Sequence, residues 1–170
     1  VIAGVFKPWI KNEWDEIEGV IQCPNIKKLK DGWEPSSRSV LFTKSIWKKV
    51  GGYPEYAYTA EDTLFNMKLK KIGARFYLAK DAIVYWRMRG SIYKVFKQFY
   101  LYGVGDKKAN TISTKKILAM ILTLLFPLGL IIEAGIRLRG TKLNMKRILV
   151  AILINTAKRI GYVTGVLFAR

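Results

Sequence analysis

The stretch Gly51-Gly52-Tyr53-Pro54-Glu55 is followed, after an aromatic loop, by Glu61-Asp62 at the start of an apolar helical pattern. The glycine pair predicts a tight turn that ends a short helix over residues 44–50. The next helix, predicted over residues 62–72, has an apolar stripe, and lysines in its last turns complement the helix dipole. This order predicts a pocket lined by aromatic side chains and a pair of carboxylates.

The remaining patterns predict alternating strands and helices, which is typical of the α/β class. Apolar runs bounded by turn residues indicate strands, and Ser91 is a plausible N-cap for the helix that follows it. The predicted strands are residues 1–6, 36–43, 74–78 and 82–86, with Lys80-Asp81 joining the last two; the predicted helices lie within residues 11–29 and over residues 92–102.

Length and composition limit the chemistry that the chain can carry. A chain of 170 residues is long enough for one domain with a core. The single Cys23 cannot form an internal disulfide, and the absence of histidine leaves acid–base chemistry to carboxylates, lysine or tyrosine. Because a strand is predicted from Val1 onward, we expect these residues to follow an upstream part of the protein.

The net charge of +18 is concentrated towards the C-terminus, where residues 105–170 contain 12 Lys or Arg and two acidic residues. These cations flank long apolar runs instead of lying on a polar scaffold. Such a pattern favours an anionic membrane surface and argues against nucleic acid as a partner.

Residues 117–136 contain no Lys or Arg, and Glu133 is their only charge. The length suffices for a membrane span, but Pro127-Leu128-Gly129 divides the segment and basic residues flank it on both sides. These features favour a helical hairpin that enters one leaflet and returns, although a span remains open. Residues 148–169 are apolar with Lys158-Arg159 at their middle, which favours an amphipathic helix in the interface.

Glu61-Asp62 has two interpretations. Acidic residues are common in a first helical turn because they complement the dipole and the unpaired N–H groups. Alternatively, an ionised carboxylate beside a pocket can act as a general base. Inverting transfer of a sugar needs one such base, which removes the proton of an acceptor hydroxyl while its oxygen attacks the anomeric carbon.

The ordered motifs over residues 1–104 resemble the C-terminal half of family-2 glycosyltransferases. Residues 35–42, residues 47–52 with the Gly-Gly-Tyr turn, Glu61-Asp62, and the Gln98–Tyr102 stretch carry the resemblance. It implies an α/β fold, the C-terminal half of a GT-A (Rossmann-like) domain, followed by apolar membrane-associated helices. It also implies that Asp62 is the base, that Glu61 orients it or the acceptor, and that Ser37 and Tyr53 line the substrate pocket.

The resemblance implies further substrate-binding residues after the predicted strands. Gln98 matches the first residue of the Gln-x-x-Arg-Trp motif of processive members, whereas Leu101 replaces its Arg and Tyr102 its Trp. This departure argues against a processive polymerase. Arg87 and Arg89 are surface cations in one interpretation and ligands of a diphosphate or lipid phosphate in the other. Together with Gln98 and Tyr102, they are predicted to face one cleft with Asp62.

A divalent metal, Mg²⁺ or Mn²⁺, is also implied by the resemblance. Trp86 stands where many relatives have a metal-binding histidine, so the metal is expected to rest mainly on an acidic motif of an upstream donor half. No metal ligand is therefore predicted within these 170 residues.

The predicted function is transfer of a sugar from a nucleotide sugar to a lipid-linked or cell-envelope glycan acceptor. We expect membrane lipid as a further partner and a location at the cytoplasmic face of the cell membrane. The alternative is a membrane-anchored basic binding module without catalysis, in which Glu61-Asp62 only caps a helix. The predicted division is a catalytic part over residues 1–104, a basic linker over 105–116 and a membrane-associated helical region over 117–170.

Overall fold

The computed structural model describes residues 1–57, 59–126 and 128–168. Within these ranges the protein contains a three-stranded sheet and seven α-helices, which confirms the predicted mixture of strands and helices. The chain forms two compact units. Unit 1 comprises residues 1–7 and 23–86, and unit 2 comprises residues 8–22 and 87–170.

The described strands and helices have the following bounds. The strands are β1 (Ile2–Trp9), β2 (Val40–Leu41) and β3 (Tyr77–Arg87). The helices are α1 (Glu13–Gln22), α2 (Lys44–Val50), α3 (Glu61–Lys71), α4 (Ile92–Lys108), α5 (Thr114–Leu125), α6 (Leu128–Arg137) and α7 (Met145–Phe168), with a 3-10 turn at Ile26–Lys28.

The sheet has the order β2-β1-β3, and β1 pairs antiparallel with β2. Two strand predictions are wrong. The two strands predicted over residues 74–86 are one continuous strand, because β3 lies at an edge of the described sheet, where polar side chains such as Lys80 and Asp81 can remain exposed without breaking it. The strand predicted over residues 36–43 shortens to two residues, because the carbonyl of Ser36 accepts a hydrogen bond from Ser39 N at 3.2 Å and forms a turn.

The core of unit 1 forms where α3 packs on the aromatic side chains of α2 and the turn after it. Phe65 and Leu69 of α3 are 1% and 0% exposed. Helix α2 has the predicted bounds because Thr43 caps its start and Gly51, at φ 73°, ends it in the left-handed conformation. The motif Gly51-Gly52 therefore fixes the turn that brings the following aromatic loop back to α3.

The core of unit 2 is formed by α1, α4, α6 and α7. Helices α4 and α7 approach so closely that only glycine fits at three crossing positions. A Cβ atom would lie 2.3 Å from the Tyr162 carbonyl oxygen at Gly103, and 2.4 Å and 2.1 Å from carbonyl oxygens of α4 at Gly161 and Gly165. The two helices therefore pack backbone to backbone at these glycines.

Helix α4 begins after the predicted cap, since the Ser91 hydroxyl accepts a hydrogen bond from Lys94 N. It continues to Lys108, past the predicted end at residue 102 and across the proposed boundary at residues 104–105. The domain division given by the sequence stays a prediction.

The apolar segment 117–136 is broken as predicted, since α5 ends at Leu125 and α6 begins at Leu128. Pro127, to which the break was assigned, lies outside the described residues. The axes of α5 and α6 differ in direction by 105°. Helix α7, with 24 residues, is long and apolar enough to cross a membrane by length and composition.

Candidate functional site

The first candidate site lies at the start of α3 in unit 1. Ala60 precedes the helix and offers no side-chain cap, so the acidic side chains of Glu61 and Asp62 are the negative groups of the first turn. Asp62 Oδ1 accepts a hydrogen bond from Thr63 N at 2.8 Å. Both acidic residues are half-buried. This local arrangement agrees with both interpretations, a helix-start carboxylate and a base.

Ser37 connects this helix start to a distant part of the sequence. Its backbone N–H donates to Asp62 Oδ2 at 3.3 Å, and its hydroxyl donates to Glu61 Oε1 at 3.5 Å. The turn at Ser36 places Ser37 there, and Asn66 of α3 holds the same loop by donating to the Pro35 carbonyl at 2.8 Å. The predicted pocket residue Ser37 therefore lies beside both acidic residues.

Tyr53 is the fourth predicted residue in this region. Its ring packs on Phe65 with centroids 4.5 Å apart and on Trp47 at 5.1 Å. Burial raises the pKa of its hydroxyl above the ordinary value of 10, and the negative charges of Asp62 and Glu61 raise it further. The phenol is thus neutral at physiological pH and senses both carboxylates.

The carboxylates keep capacity to bind a further group. Glu61 Oε2 is buried and has no hydrogen-bond partner among the described residues. Among the described residues, Asp62 accepts one short and one long hydrogen bond, whereas a carboxylate can accept about four. Buried polar atoms are nearly always paired, so the unpaired Glu61 Oε2 is an exception, and the unused acceptor positions of the half-buried Asp62 are the ones suited to a hydroxyl donor from a ligand.

The second predicted group lies in unit 2, where the structure brings three of its four residues together. Arg89 Nε donates to Gln98 Oε1 at 2.7 Å, and Gln98 Nε2 donates to the Tyr102 hydroxyl oxygen at 2.9 Å. Gln98 is 5% exposed. Arg87 ends β3, is exposed, and is not part of this group. That these residues share a cleft with Asp62 stays a prediction.

Trp86 lies in an aromatic and cationic cluster of unit 1. Its ring meets Phe6 edge-on, with centroids 5.7 Å apart, and the Arg38 guanidinium carbon lies 4.4 Å from its centroid. A residue in such contacts contributes packing and a cation–π interaction. Within residues 1–57, 59–126 and 128–168, no three His, Cys, Asp or Glu side chains gather in a way that could hold a metal ion. The divalent metal, which is expected to rest mainly on an upstream donor half, stays a prediction, and no step below depends on it.

Glu18 of α1 was not predicted from the sequence as a site residue; it is 0% exposed and accepts a hydrogen bond from Arg89 N at 2.9 Å. A signal for it was available in the spacing of Trp14, Glu18 and Gln22, which recur every four residues and therefore share one face of α1. Polar side chains on a buried helix face indicate a hydrogen-bonded network.

Comparisons with known proteins assign no family to this chain: no protein-family model matches it, and neither a curated protein nor a solved structure shows significant similarity to it.

Proposed function

We propose that this chain is the acceptor-side part of a membrane-associated glycosyltransferase of the GT-A type. It would transfer a sugar from a nucleotide sugar to a lipid-linked or cell-envelope glycan acceptor at the cytoplasmic face of the membrane. The observation that carries the proposal is the convergence of Asp62, Glu61, Ser37 and Tyr53, which come from three separate stretches of sequence.

Asp62 is the base in this proposal. Its carboxylate takes the proton from an acceptor hydroxyl while the hydroxyl oxygen forms a bond to the anomeric carbon. The bond from that carbon to the diphosphate oxygen breaks on the opposite face, and its electron pair leaves with the diphosphate. The anomeric configuration is therefore inverted.

Glu61 and Ser37 have supporting roles in the same step. The Ser37 N–H holds Asp62 Oδ2, which leaves the carboxylate oriented by the backbone instead of by a mobile side chain. Glu61 is half-buried beside Asp62 and would accept a hydrogen bond from a second acceptor hydroxyl, which would turn the acceptor towards Asp62. Tyr53 offers a neutral donor and an apolar ring face to a sugar.

The membrane part of the proposal rests on unit 2. Helices α5 to α7 carry exposed apolar side chains in a strongly basic stretch, and α7 is by itself long and apolar enough to span. Exposed apolar surface with basic flanks is typical of lipid-binding helices. Leu122, Ile132, Ile136, Leu149 and Leu153 are between 46% and 55% exposed.

A membrane-anchored basic binding module is the alternative, favoured by the same exposed apolar side chains and by the ordinary role of acidic residues at a helix start.

The test is to incubate the full-length protein, in vesicles, with labelled nucleotide sugars and a lipid extract. We expect a labelled lipid or glycan product whose anomeric configuration, measured by NMR, is opposite to that of the donor. Retained configuration would exclude Asp62 as a simple base, and the absence of transfer from every donor would favour the binding module.

A further inference from the structure

A closed ring of hydrogen bonds in unit 2 joins α1 to α4. Glu18 Oε1 accepts from Gln22 Nε2 at 2.8 Å and from Arg89 N at 2.9 Å. Gln22 Oε1 accepts from Gln98 Nε2 at 3.1 Å, and Gln98 Oε1 accepts from Arg89 Nε at 2.7 Å. The last bond returns the path to Arg89 and closes the ring.

Glu18 is the only carboxylate of this ring, and its hydrogen-bonding capacity is filled. Its second oxygen, Oε2, accepts from Trp14 Nε1 at 2.7 Å and from Gly90 N at 3.1 Å. Four donors occupy the four or so lone-pair positions of a carboxylate, and the residue is 0% exposed. Glu18 therefore has no capacity for a ligand, and its role is to hold its neighbours.

Those neighbours set the direction of α4 and of Arg89. The two backbone N–H groups that Glu18 binds belong to Arg89 and to Gly90, which has φ +71° and directly precedes the helix cap Ser91. The ring also fixes which way the Gln98 amide points, because its oxygen accepts from Arg89 and its NH₂ donates to Gln22 and to the Tyr102 hydroxyl.

We infer that Glu18 is the positioning residue of a phosphate-binding acceptor subsite formed by Arg89 and Tyr102, which the buried Gln98 links, an inference that rests on the proposed function. Arg89 is exposed, and a guanidinium oriented by a buried amide is suited to a phosphate oxygen, while the Tyr102 ring suits an adjoining sugar or chain. The substrate class is an acceptor lipid with a phosphate head group.

The test compares Glu18→Gln with Glu16→Gln in the full-length protein. The new amide at position 18 turns an NH₂ group towards other donors and opens the ring. Glu16 lies on the same helix and bonds Arg147 at 3.0 Å, outside the ring, so its loss controls for general destabilisation. Gln22→Leu is a milder second variant, which keeps the Glu18 charge and its other donors.

Binding is measured by calorimetry with dodecyl phosphate and, separately, with inorganic phosphate. We expect Glu18→Gln to weaken dodecyl phosphate binding about tenfold, Gln22→Leu severalfold, and Glu16→Gln less than twofold. The indole N–H resonance of Trp14, assigned with Trp14→Phe, should shift in Glu18→Gln and not in Glu16→Gln.

Equal weakening by Glu18→Gln and Glu16→Gln would overturn the positioning role. Equal affinity of the wild-type protein for inorganic phosphate and dodecyl phosphate would overturn the lipid class of the ligand. A sugar-transfer assay on the same preparations separates the two proposals. If the wild-type protein transfers no sugar but binds dodecyl phosphate in a Glu18-dependent way, the proposed function fails and the positioning role of Glu18 is supported.

Discussion

The two units hold their carboxylates in opposite ways. In unit 1, Asp62 and Glu61 are half-buried at a helix start, accept few hydrogen bonds and leave one buried oxygen unpaired. In unit 2, Glu18 is fully buried and accepts four hydrogen bonds. A carboxylate with unused capacity can take a proton or a ligand, whereas a saturated one can only fix the groups around it.

The largest effect is expected when the carboxylate with unused capacity is neutralised. We expect Asp62→Asn to lower sugar transfer by roughly two orders of magnitude or more, because an amide of the same shape cannot accept the proton. The melting temperature should change little, since the amide oxygen can still accept the Ser37 N–H. The measurement is transfer rate at saturating substrate together with thermal unfolding.

Asp81→Asn is the matched control for Asp62, because Asp81 is an exposed aspartate of the same unit. It should keep transfer within about twofold of the wild type. Near-normal transfer by Asp62→Asn would remove Asp62 as the base and leave only its role at the helix start.

The close packing of α4 against α7 in unit 2 gives the next largest effect. Gly165→Ala places a methyl group 2.1 Å from the Tyr100 carbonyl oxygen, so α4 and α7 must separate. We expect a loss of about 1–3 kcal/mol in the free energy of unfolding, measured by denaturant titration. Gly135→Ala is the control, because nothing lies within 4 Å of its new methyl group and the helix should be unaffected or slightly stabilised.

Most of the sequence signals near Asp62 involve residues that are adjacent in the chain. The sequence could therefore predict this part of the structure. The bounds of α2 follow from Thr43, which caps its start, and from Gly51, which ends it, and both residues are adjacent to the helix. The two carboxylates of α3 are also neighbours in the sequence. Ser37 is predicted as a pocket residue from the family resemblance, which does not reveal its hydrogen bonds to Asp62 and Glu61. Contacts in unit 2 join residues far apart in sequence, such as Glu18 with Arg89, and no periodicity reports such a pairing.

The charged residues of α7 are a second case in which the sequence does not show a distant partner. Lys158-Arg159 suggested a helix lying in the membrane interface, but Arg159 pairs with Glu133 of α6, and Arg147 bonds Glu16 of α1. A sequence shows the charge but not the partner that neutralises it. How α7 lies relative to a membrane stays a prediction.

The units should also differ in lipid binding. We expect a triple variant of Leu122, Ile132 and Ile136 to Ser to reduce binding to phosphatidylglycerol vesicles at least about tenfold, because half-exposed apolar side chains on α5 and α6 would insert into lipid. Co-sedimentation measures the bound fraction. Changing the exposed Ile72, Tyr77 and Val84 of unit 1 to Ser should leave binding within about twofold; equal losses would mean that vesicle binding is not specific to α5 and α6.

A smaller effect is expected for the second carboxylate of unit 1. Glu61→Gln keeps the side-chain shape and an acceptor for Ser37, but it replaces one carboxylate oxygen by an NH₂ group. We expect the KM for the acceptor to rise severalfold with kcat nearly unchanged, because Glu61 orients the acceptor and takes no proton. Glu55→Gln, an exposed change in the preceding loop, is the control. A fall in kcat as large as that of Asp62→Asn would make Glu61 the base instead.

The smallest effect comes from Tyr53, whose pKa is raised by burial and by the charges of Asp62 and Glu61. A raised pKa in the folded state means that the unfolded chain loses its phenolic proton first, so this contribution to stability is complete below about pH 10 and declines as pH rises further. The free energy of unfolding should therefore fall more between pH 9 and pH 11 in the wild type than in Tyr53→Phe. Tyr77→Phe removes an exposed hydroxyl and should keep the wild-type slope. If Tyr53→Phe also keeps that slope, neither burial nor the two carboxylates perturb the phenol, and Tyr53 would contribute to this site only through its ring.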